Sequence, residues 1–446
     1  MQASFADVKE NPTGRLWMET FERLGFPLTS SPFEGKSTGP YNALSTNSAT
    51  SKTRASSSTG HYSDLVKRNN VKIFLDTKAK KIQFDNTSSR PRAEGITIVH
   101  KGIMSTMYAR KEVILSAGVF NTSKLLELSG IGDPKVLTPL GIDVNVENPN
   151  VGHNLQDHVV TSISYEVQDG VLTGDDLARK DPTALQVAID MYRKHQSGPF
   201  ATPGVTCFGY LPIFKFQQET DALMTTLRYL DDAVVGESSL DKARRDHLKT
   251  VLENGDEGTG QYMLFMAQGS AAGKDTIGKF GSDPQPGNYI SLVCALSHPL
   301  STGTSHITSA DVDQPPLIDH QYLSHHLDLE ILARHIRSFE AIALTEPLAS
   351  LLKPNGRRND PKAFVGSNLE KAKDYVQNTS TTNCHSCGTC AMAPREKGGV
   401  VDENLRVYGV SGLRIVDASV FPIIPQSNPQ TLVYAVAGRA SDLIKG

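Results

Sequence analysis

The sequence predicts a mixed fold that joins an α/β unit to an α+β unit built on an antiparallel sheet with helices. A strand, a turn and a helix follow one another in KEVILSAGVFNTSKLLELSGIG, which is the pattern of an α/β unit. Short apolar runs at meander spacing and the long helical pattern of LDLEILARHIRSFEAIA indicate the α+β part. At 446 residues the chain can bury a large core, so we expect two domains or one large domain with an interleaved second.

The first third of the chain changes from loop to strand character near Asn70. Residues 1–63 are polar and broken, and the stretch NALSTNSATSKTRASSST is rich enough in Ser and Thr to predict loop. The runs VKIFLDT, KKIQFD and EGITIVHKG predict short strands, and KEVILSAG predicts a buried strand that ends at Gly118.

A helix is predicted over TSKLLELSGIG. Thr122 is the expected N-cap, and Gly130 or Gly132 can take the left-handed conformation that ends a helix. An apolar stripe follows from Leu125, Leu126 and Leu128. A strand, turn and helix of this kind place backbone N–H groups at the carboxyl edge of a sheet, where nucleotide phosphates are commonly held.

Residues 160–375 predict a separate mixed layer. Helices are expected at ALQVAIDMYRKH and TDALMTTLRYLDDAV, and strands at QYMLFMAQ and NYISLVCAL. The segment LDLEILARHIRSFEAIALTEPLASLL predicts a long helix on a sheet, interrupted by Pro347. Its apolar positions at helical spacing are Leu329, Leu332, Ile336, Phe339 and Ile342.

Composition narrows the class of partner. The formal net charge is -3 and charged residues make up 21%, so no charge excess favours nucleic acid or an anionic membrane. No window approaches the roughly 18 uninterrupted apolar residues of a spanning helix, and MQASFADVKE lacks the features of a secretory signal. We therefore expect a small-molecule partner and, for the chain as written, a cytoplasmic protein; secretion stays open if a leader precedes Met1.

Several ordered blocks resemble those of one enzyme family. The strings KEVILSAGVFNTSKLLELSGIG, VGHNLQDH, LIDHQYLSHHLDLEILARH, GTCAM, GVVDENLRVYGVSGLRIVDASVFP and SDLIK occur in the order typical of glucose-methanol-choline (GMC) oxidoreductases. The resemblance covers residues 15–446 and looks closest to the fungal biosynthetic-cluster branch through PREKGGVVD. It implies an FAD-dependent oxidoreductase, an alcohol oxidase or dehydrogenase, in secondary-metabolite biosynthesis.

The resemblance implies a Rossmann-like FAD-binding domain that is incomplete here. Members carry a GxGxxG phosphate loop in their first strand-turn-helix unit, and this sequence contains none, so roughly 200 residues of the family's N-terminal region are expected to be missing. The residues that match cofactor-binding positions of the family are Val71, Ala117, Gly118, Asp417, Ala418, Pro429 and Gln430.

The resemblance also implies a catalytic pair. His385 in NCHSCGTCAM matches the family's histidine, and a base with a pKa near neutrality suits removal of a hydroxyl proton. Asn428 matches the second residue of the pair and can hold the substrate oxygen by hydrogen bonding. Asn428 and Pro429 are also a good N-cap and first residue for the helix TLVYAVAGRASDLI. Asp157 and His158 of NLQDH could reach the periphery of the active site, but we expect them to stabilise the fold through hydrogen bonds.

The cluster CHSCGTC leaves a rival interpretation open. Cys384, Cys387 and Cys390 at two-residue gaps, with His385, resemble metal or iron-sulfur spacing, but no second CxxC pair completes such a site. Five cysteines, an odd number, argue against a complete disulfide framework. No metal is predicted.

These inferences combine into one domain assignment. Residues 1–67 are a loop-rich remnant, 68–160 a partial FAD-binding domain, 161–384 a substrate-binding domain, and 385–446 an active-site segment that returns to the FAD-binding domain. The predicted substrate is a small-molecule alcohol. The alternative is a non-redox or truncated member without stable FAD binding, or one that needs a dimer partner or a complementing second chain.

Overall fold

A computed structural model of the chain describes residues 2–5, 13–28, 32, 34–35, 38–202, 204–232, 235–269 and 285–446. The strands are β1 (Gly39–Asn42), β2 (Thr77–Asp85), β3 (Arg92–His100), β4 (Ile103–Tyr108), β5 (Val113–Leu115), β6 (Ile131–Gly132), β7 (Val146–Glu147), β8 (Val159–Glu166), β9 (Val205–Leu211), β10 (Gly260–Phe265), β11 (Tyr289–Leu296), β12 (Thr304–His306), β13 (Leu317–Asp319), β14 (Thr381–Thr382) and β15 (Leu413–Ile415). The helices are α1 (Thr13–Arg23), α2 (Ser63–Leu65), α3 (Gly118–Leu128), α4 (Pro134–Leu137), α5 (Asp175–Ala178), α6 (Pro182–His195), α7 (Ile213–Phe216), α8 (Thr220–Asp231), α9 (Ser239–Glu253), α10 (His326–Ala343), α11 (Leu369–Thr379) and α12 (Gln430–Lys445).

A six-stranded sheet in the order β1-β9-β10-β11-β8-β14 organises the larger part of the molecule. Every pairing in it is antiparallel. Strands β8 and β11 are buried along their whole length; β11 is a largely apolar run, whereas β8 also buries Thr161, Ser162 and Ser164. Helix α10 packs on this sheet and buries Leu332, Ile336, Phe339 and Ile342, as its helical spacing predicts. The predicted antiparallel sheet with helices is therefore confirmed.

The N-terminal segment contributes more structure than its polar sequence suggests. Helix α1 buries Trp17 and Phe21 completely in the core of the large sheet. The indole N–H of Trp17 donates to the carbonyl of Phe208 at 2.9 Å, and β1 pairs with β9. Short segments of this kind gain their stability from tertiary contacts, so local composition underestimates how much regular structure they form.

The strand predicted at VKIFLDT is wrong. Residues 71–74 form no strand, and the side chains of Ile73, Phe74 and Leu75 are 45%, 47% and 68% exposed. A strand is stable only beside a partner strand, and no described strand pairs with this segment. The two runs that follow form β2 and β3 as predicted, and β4 completes their antiparallel meander.

A parallel pair, β5 with β15, forms the α/β part together with α3. The predicted N-cap at Thr122 is wrong, because α3 already begins at Gly118 with Ala117 as its N-cap. At the other end Gly130 has φ +80 and follows the helix in the left-handed conformation, as predicted. The prediction of an α/β fold is confirmed, and the four-part domain division stays a prediction.

The predicted start of the last helix is off by one residue. Helix α12 begins at Gln430 with Pro429 at the N-cap, so Asn428 lies just outside the helix. Its side chain is thereby free of a capping role. Among the described helices, none combines the length and apolar character needed to cross a membrane.

Candidate functional site

Two segments lie side by side at the centre of the site: the loop of residues 383–390, here called the histidine loop, and the segment of residues 154–158. Gln156 and Cys387 exchange backbone hydrogen bonds of 3.0 and 2.9 Å. The amide of Asn383 also donates to the carbonyl of His158 at 3.0 Å. The side chains of Asn154 and Gln156 donate to the carbonyl of Pro422, which connects the segment of residues 154–158 to the chain before α12. The fold thus fixes the backbone on both sides of His385.

His385 has a partner at each ring nitrogen. Its Nδ1 lies 2.8 Å from Nδ1 of His158, and its Nε2 lies 3.1 Å from Nδ2 of Asn428. The two predicted catalytic residues, 43 positions apart in the sequence, are therefore brought into direct contact. Burial lowers the pKa of His385, and the nearby charge of Asp157 partly offsets this effect. A histidine with a lowered pKa stays neutral, and able to accept a proton, at neutral pH.

The carboxylate of Asp157 holds the histidine loop in place. One oxygen accepts the backbone N–H of His385 at 3.0 Å. The other accepts the hydroxyls of Tyr322 at 2.7 Å, Ser386 at 3.1 Å and Thr382. Asp157 is only 4% exposed, so a carboxylate there needs such donors. The structure confirms the prediction that Asp157 stabilises the fold through hydrogen bonds.

Asn428 is oriented from its other side by the large sheet. Its Oδ1 accepts from Nε2 of Gln261 on β10 at 3.0 Å. The same Gln261 group donates to the hydroxyl of Tyr210 on β9 at 2.9 Å. Sequence reasoning missed Gln261 and Tyr210, and the only available signal was a glutamine at the start of an otherwise apolar strand. With Oδ1 occupied, Asn428 turns its N–H₂ group toward His385.

Four of the residues predicted to bind the cofactor meet at the carboxyl ends of β5 and β15. The carboxylate of Asp417 accepts the backbone N–H of Gly118 at 3.0 Å and the hydroxyl of Thr122 at 2.6 Å. The same hydroxyl accepts from the amide of Ala117 at 3.2 Å. Ala418 follows directly and begins a short 3-10 turn. Thr122 therefore stabilises this turn through the hydrogen bonds of its hydroxyl and does not cap α3.

The histidine loop is bonded to this turn. The amide of Gly388 donates to the carbonyl of Ala418 at 3.1 Å, and Thr389 Oγ1 donates to the carbonyl of Val119 at 2.6 Å. The remaining predicted cofactor residues lie elsewhere. Val71 hydrogen-bonds to Arg68 within the exposed segment before β2. Pro429 and Gln430 adjoin Asn428 at the start of α12.

The three clustered cysteines do not share an environment. Cys387 and Cys390 are fully buried in an apolar core, whereas Cys384 is exposed. Burial raises the pKa of both core thiols, which disfavours the thiolate that a metal requires. Within the part of the chain that the structure describes, no group of three or more His, Cys, Asp or Glu side chains is arranged to hold a metal ion.

Comparison with known proteins decides the family. Residues 1–160 and residues 299–437 match the N- and C-terminal parts of a family described as GMC oxidoreductase. Dehydrogenase citC of Monascus ruber is 35% identical over 426 residues, which cover 93% of this chain and 67% of that protein. The chain belongs to the GMC oxidoreductase family. Patulin synthase of Aspergillus clavatus is 30% identical, covering 96% of this chain and 63% of that protein.

Solved structures of GMC-type enzymes have the same architecture. An FAD-dependent oxidoreductase from Chaetomium thermophilum matches with a TM-score of 0.83 and 25% identity, covering 99% of this chain and 73% of that one. A variant of formate oxidase from Aspergillus oryzae matches with a TM-score of 0.83 and 25% identity, covering 99% and 72%. The GMC chain thus spans about two thirds to three quarters of its relatives' length. The predicted family, fold, enzyme class and FAD cofactor are confirmed.

The residues of this GMC chain fit one end of FAD better than the other. At the catalytic end, the half-buried His385 contacts the exposed Asn428 just before the start of α12. At the turn after β5, a Cβ placed on Gly118 would meet no described atom within 4 Å, so that backbone is open to a bound group. The phosphate end differs, since no GxGxxG loop occurs in the 446 residues. That Ala117, Gly118, Asp417 and Ala418 contact the nucleotide stays a prediction.

Proposed function

We propose that this GMC chain is an FAD-dependent oxidoreductase that oxidises the CH–OH group of a small-molecule alcohol. The observation that carries the proposal is the contact between His385 Nε2 and Asn428 Nδ2 at 3.1 Å. An alcohol hydroxyl that binds against both groups, and replaces the Asn428 N–H at His385 Nε2, meets a proton acceptor and a hydrogen-bond donor together. This pairing is what removal of a hydroxyl proton requires.

Each residue then has a separate task. FAD, when bound, would supply the acceptor for the hydride that leaves the substrate carbon. His385 takes the hydroxyl proton at Nε2, and its lowered pKa keeps that atom unprotonated beforehand. Asn428 cannot act as a base; its N–H₂ group donates to the substrate oxygen as negative charge develops there. Gln261 holds the Asn428 carbonyl oxygen and so keeps the donor group turned toward the substrate.

The relatives support a biosynthetic role and leave the alcohol open. Patulin synthase and dehydrogenase citC are fungal enzymes of the same family. We infer that this chain acts on an intermediate of a secondary-metabolite pathway. Next to the histidine loop, a cavity of about 1260 Å³ is lined by Asp157, Tyr322, Thr382 and Cys384, among others, but not by His385 or Asn428, so it does not identify the alcohol.

A second candidate is a family member that keeps the pocket without stable FAD binding, or one completed by a dimer partner or another chain. Exposed apolar side chains favour this candidate, because such surface is usually covered by a partner. They are Ile73, Phe74 and Leu75 in the segment before β2, and Ile114 on β5. The absence of GxGxxG from the sequence favours it as well.

Cofactor uptake separates the two candidates. Purified protein is mixed with FAD, desalted, and its absorbance is recorded at the flavin bands. Retained flavin supports the oxidoreductase, whereas a folded protein that releases all flavin supports the second candidate.

The role of His385 is tested in the flavin-loaded protein. His385→Ala should slow flavin reduction by an alcohol about 100-fold or more, the usual scale for a lost general base. His195→Ala, at the exposed end of α6, is the matched control and should leave the rate unchanged. Equal rates in the two variants would contradict the assignment of His385.

A further inference from the structure

Both ring nitrogens of His158 are occupied, and their partners fix where its proton lies. Its Nε2 lies 2.9 Å from the carbonyl oxygen of Pro425. A carbonyl can only accept a hydrogen bond, so Nε2 of His158 carries the hydrogen. His158 is 1% exposed, and burial lowers its pKa to about 3, so the ring is neutral and its Nδ1 bears a free lone pair.

The proton of the adjacent His385 follows from this. The two Nδ1 atoms are 2.8 Å apart, a distance that requires one hydrogen between them. Because Nδ1 of His158 has none, Nδ1 of His385 must carry it. The side-chain amide of Asn383 lies 3.2 Å from the same atom. The nitrogen and oxygen of a side-chain amide can be exchanged in position, so the Asn383 oxygen is placed there and accepts from the N–H of His385 Nδ1.

The contacts on the opposite side of His385 agree with this tautomer. Gln261 donates to Oδ1 of Asn428, so Nδ2 of Asn428 is the atom that faces Nε2 of His385 at 3.1 Å. An N–H₂ group can only donate, so Nε2 of His385 must be the bare nitrogen. The chain from the Pro425 carbonyl therefore fixes the tautomer, and the contacts from Gln261 through Asn428 are compatible with it.

We propose that His158 is a positioning residue that fixes His385 in the tautomer with hydrogen on Nδ1, so that Nε2 presents its lone pair to the substrate. The inference rests on the proposed function, in which His385 is the base. A base whose free nitrogen pointed into the protein could not reach the hydroxyl proton, so the tautomer decides whether the reaction can begin.

A neutral partner in this position has a further consequence. A carboxylate hydrogen-bonded to Nδ1 would favour the protonated imidazolium, whereas neutral His158 adds no such charge. The titratable groups that face this pair are Asp157, which bonds to the backbone of His385, and His298, which lies beside His158 and is itself neutral because burial lowers its pKa to about 3. His385 therefore keeps a lowered pKa while its ring is held in one orientation.

Two substitutions test the two ring nitrogens of His158 one at a time: the acceptor Nδ1, which faces His385, and the donor Nε2, which faces Pro425. In His158→Asn, the amide oxygen takes the position of Nδ1 and can still accept from His385, but the contact to Pro425 is lost. In His158→Gln, the amide nitrogen takes the position of Nε2 and keeps the contact to Pro425, but no acceptor faces His385. Both remove a buried imidazole, so a merely structural role predicts similar effects for both.

The tautomer is measured directly by NMR on protein labelled with nitrogen-15 in histidine, with the His385 signals assigned through His385→Asn. The wild type and His158→Asn should show His385 with hydrogen on Nδ1, and His158→Gln should shift it toward hydrogen on Nε2. Unchanged signals of His335, whose ring nitrogens contact Thr259 and Tyr262, report that the fold is intact. Hydrogen on Nε2 in the wild type, or the same tautomer in both variants, would overturn the inference.

Flavin reduction gives the second readout. Loss of a positioning partner typically lowers activity about 10- to 100-fold, and we expect that loss in His158→Gln, with His158→Asn closer to the wild type. The two proposals can fail separately. The predicted tautomer without any alcohol oxidation refutes the proposed function and leaves the inference standing, whereas oxidation by a wild type with hydrogen on Nε2 refutes the inference alone.

Discussion

Asp157→Asn tests how strongly one buried carboxylate holds the site together. In the variant, the amide oxygen can keep the position that accepts Tyr322, Thr382 and Ser386. The amide nitrogen then faces the backbone N–H of His385, two donors with no acceptor between them. An unpaired buried donor costs about 1–3 kcal/mol, and the three remaining bonds each lose part of their charge assistance. We expect a loss of about 3–5 kcal/mol in the free energy of unfolding.

Urea denaturation followed by circular dichroism measures this loss against a matched control. Asp64→Asn makes the same chemical change at an exposed carboxylate that pairs with Lys67 at 3.6 Å, and should cost less than about 1 kcal/mol. A second readout is the pH profile of flavin reduction. Asp157 raises the pKa of His385, so its removal lowers that pKa further, and the acidic limb of the profile moves to lower pH. A stability loss under about 1 kcal/mol with an unmoved limb would refute the reasoning.

Three further predictions concern the fold around the site. Gly388 has φ +97, and a Cβ there would clash with the backbone oxygen of Asn154, so Gly388→Ala should lower the free energy of unfolding by about 2–4 kcal/mol. Gly141→Ala, where φ is +71 and space is open, should lower it by about 1 kcal/mol. Equal losses in urea would contradict this. Cys384 should react with iodoacetamide in the native protein while the two buried thiols of its cluster react only after unfolding; mass spectrometry of the modified peptides distinguishes them. Phe21→Ala should cost about 3–5 kcal/mol, measured by thermal and urea unfolding, and a cost near zero would show that α1 is not part of the core.

The sequence predicts the strongly patterned elements well. Helix α10 and strands β10 and β11 bury what their periodicity predicts, because an apolar face of that length has one stable place to go. The exposed segment at Ile73 to Leu75 is the opposite case. Its residues have high strand propensity, but strand formation depends on a neighbouring strand that local pattern cannot supply.

The candidate site divides in the same way. The pairing of His385 with Asn428 follows from the resemblance of the motifs, and the structure places the two in contact. The partners His158 and Gln261 could not be assigned by the same route, because their roles depend on hydrogen-bond directions across three separate segments. A buried histidine is more often a satisfied structural group than part of a reaction, and only the Pro425 carbonyl behind it distinguishes the two cases.

The contacts that orient the His385 ring do not involve the turn after β5, where the nucleotide is predicted to bind. They come from His158, Asn383 and Asn428, and behind these from Pro425 and Gln261. The turn after β5 is connected to the histidine loop through backbone bonds at Gly388 and Thr389, which position the loop and leave the ring's proton unaffected. The geometry of the base is therefore complete in this chain whether or not the nucleotide end of FAD is held. It follows that weak FAD uptake would lower the fraction of active protein. In each protein molecule that does hold flavin, the substrate would still meet a correctly oriented base.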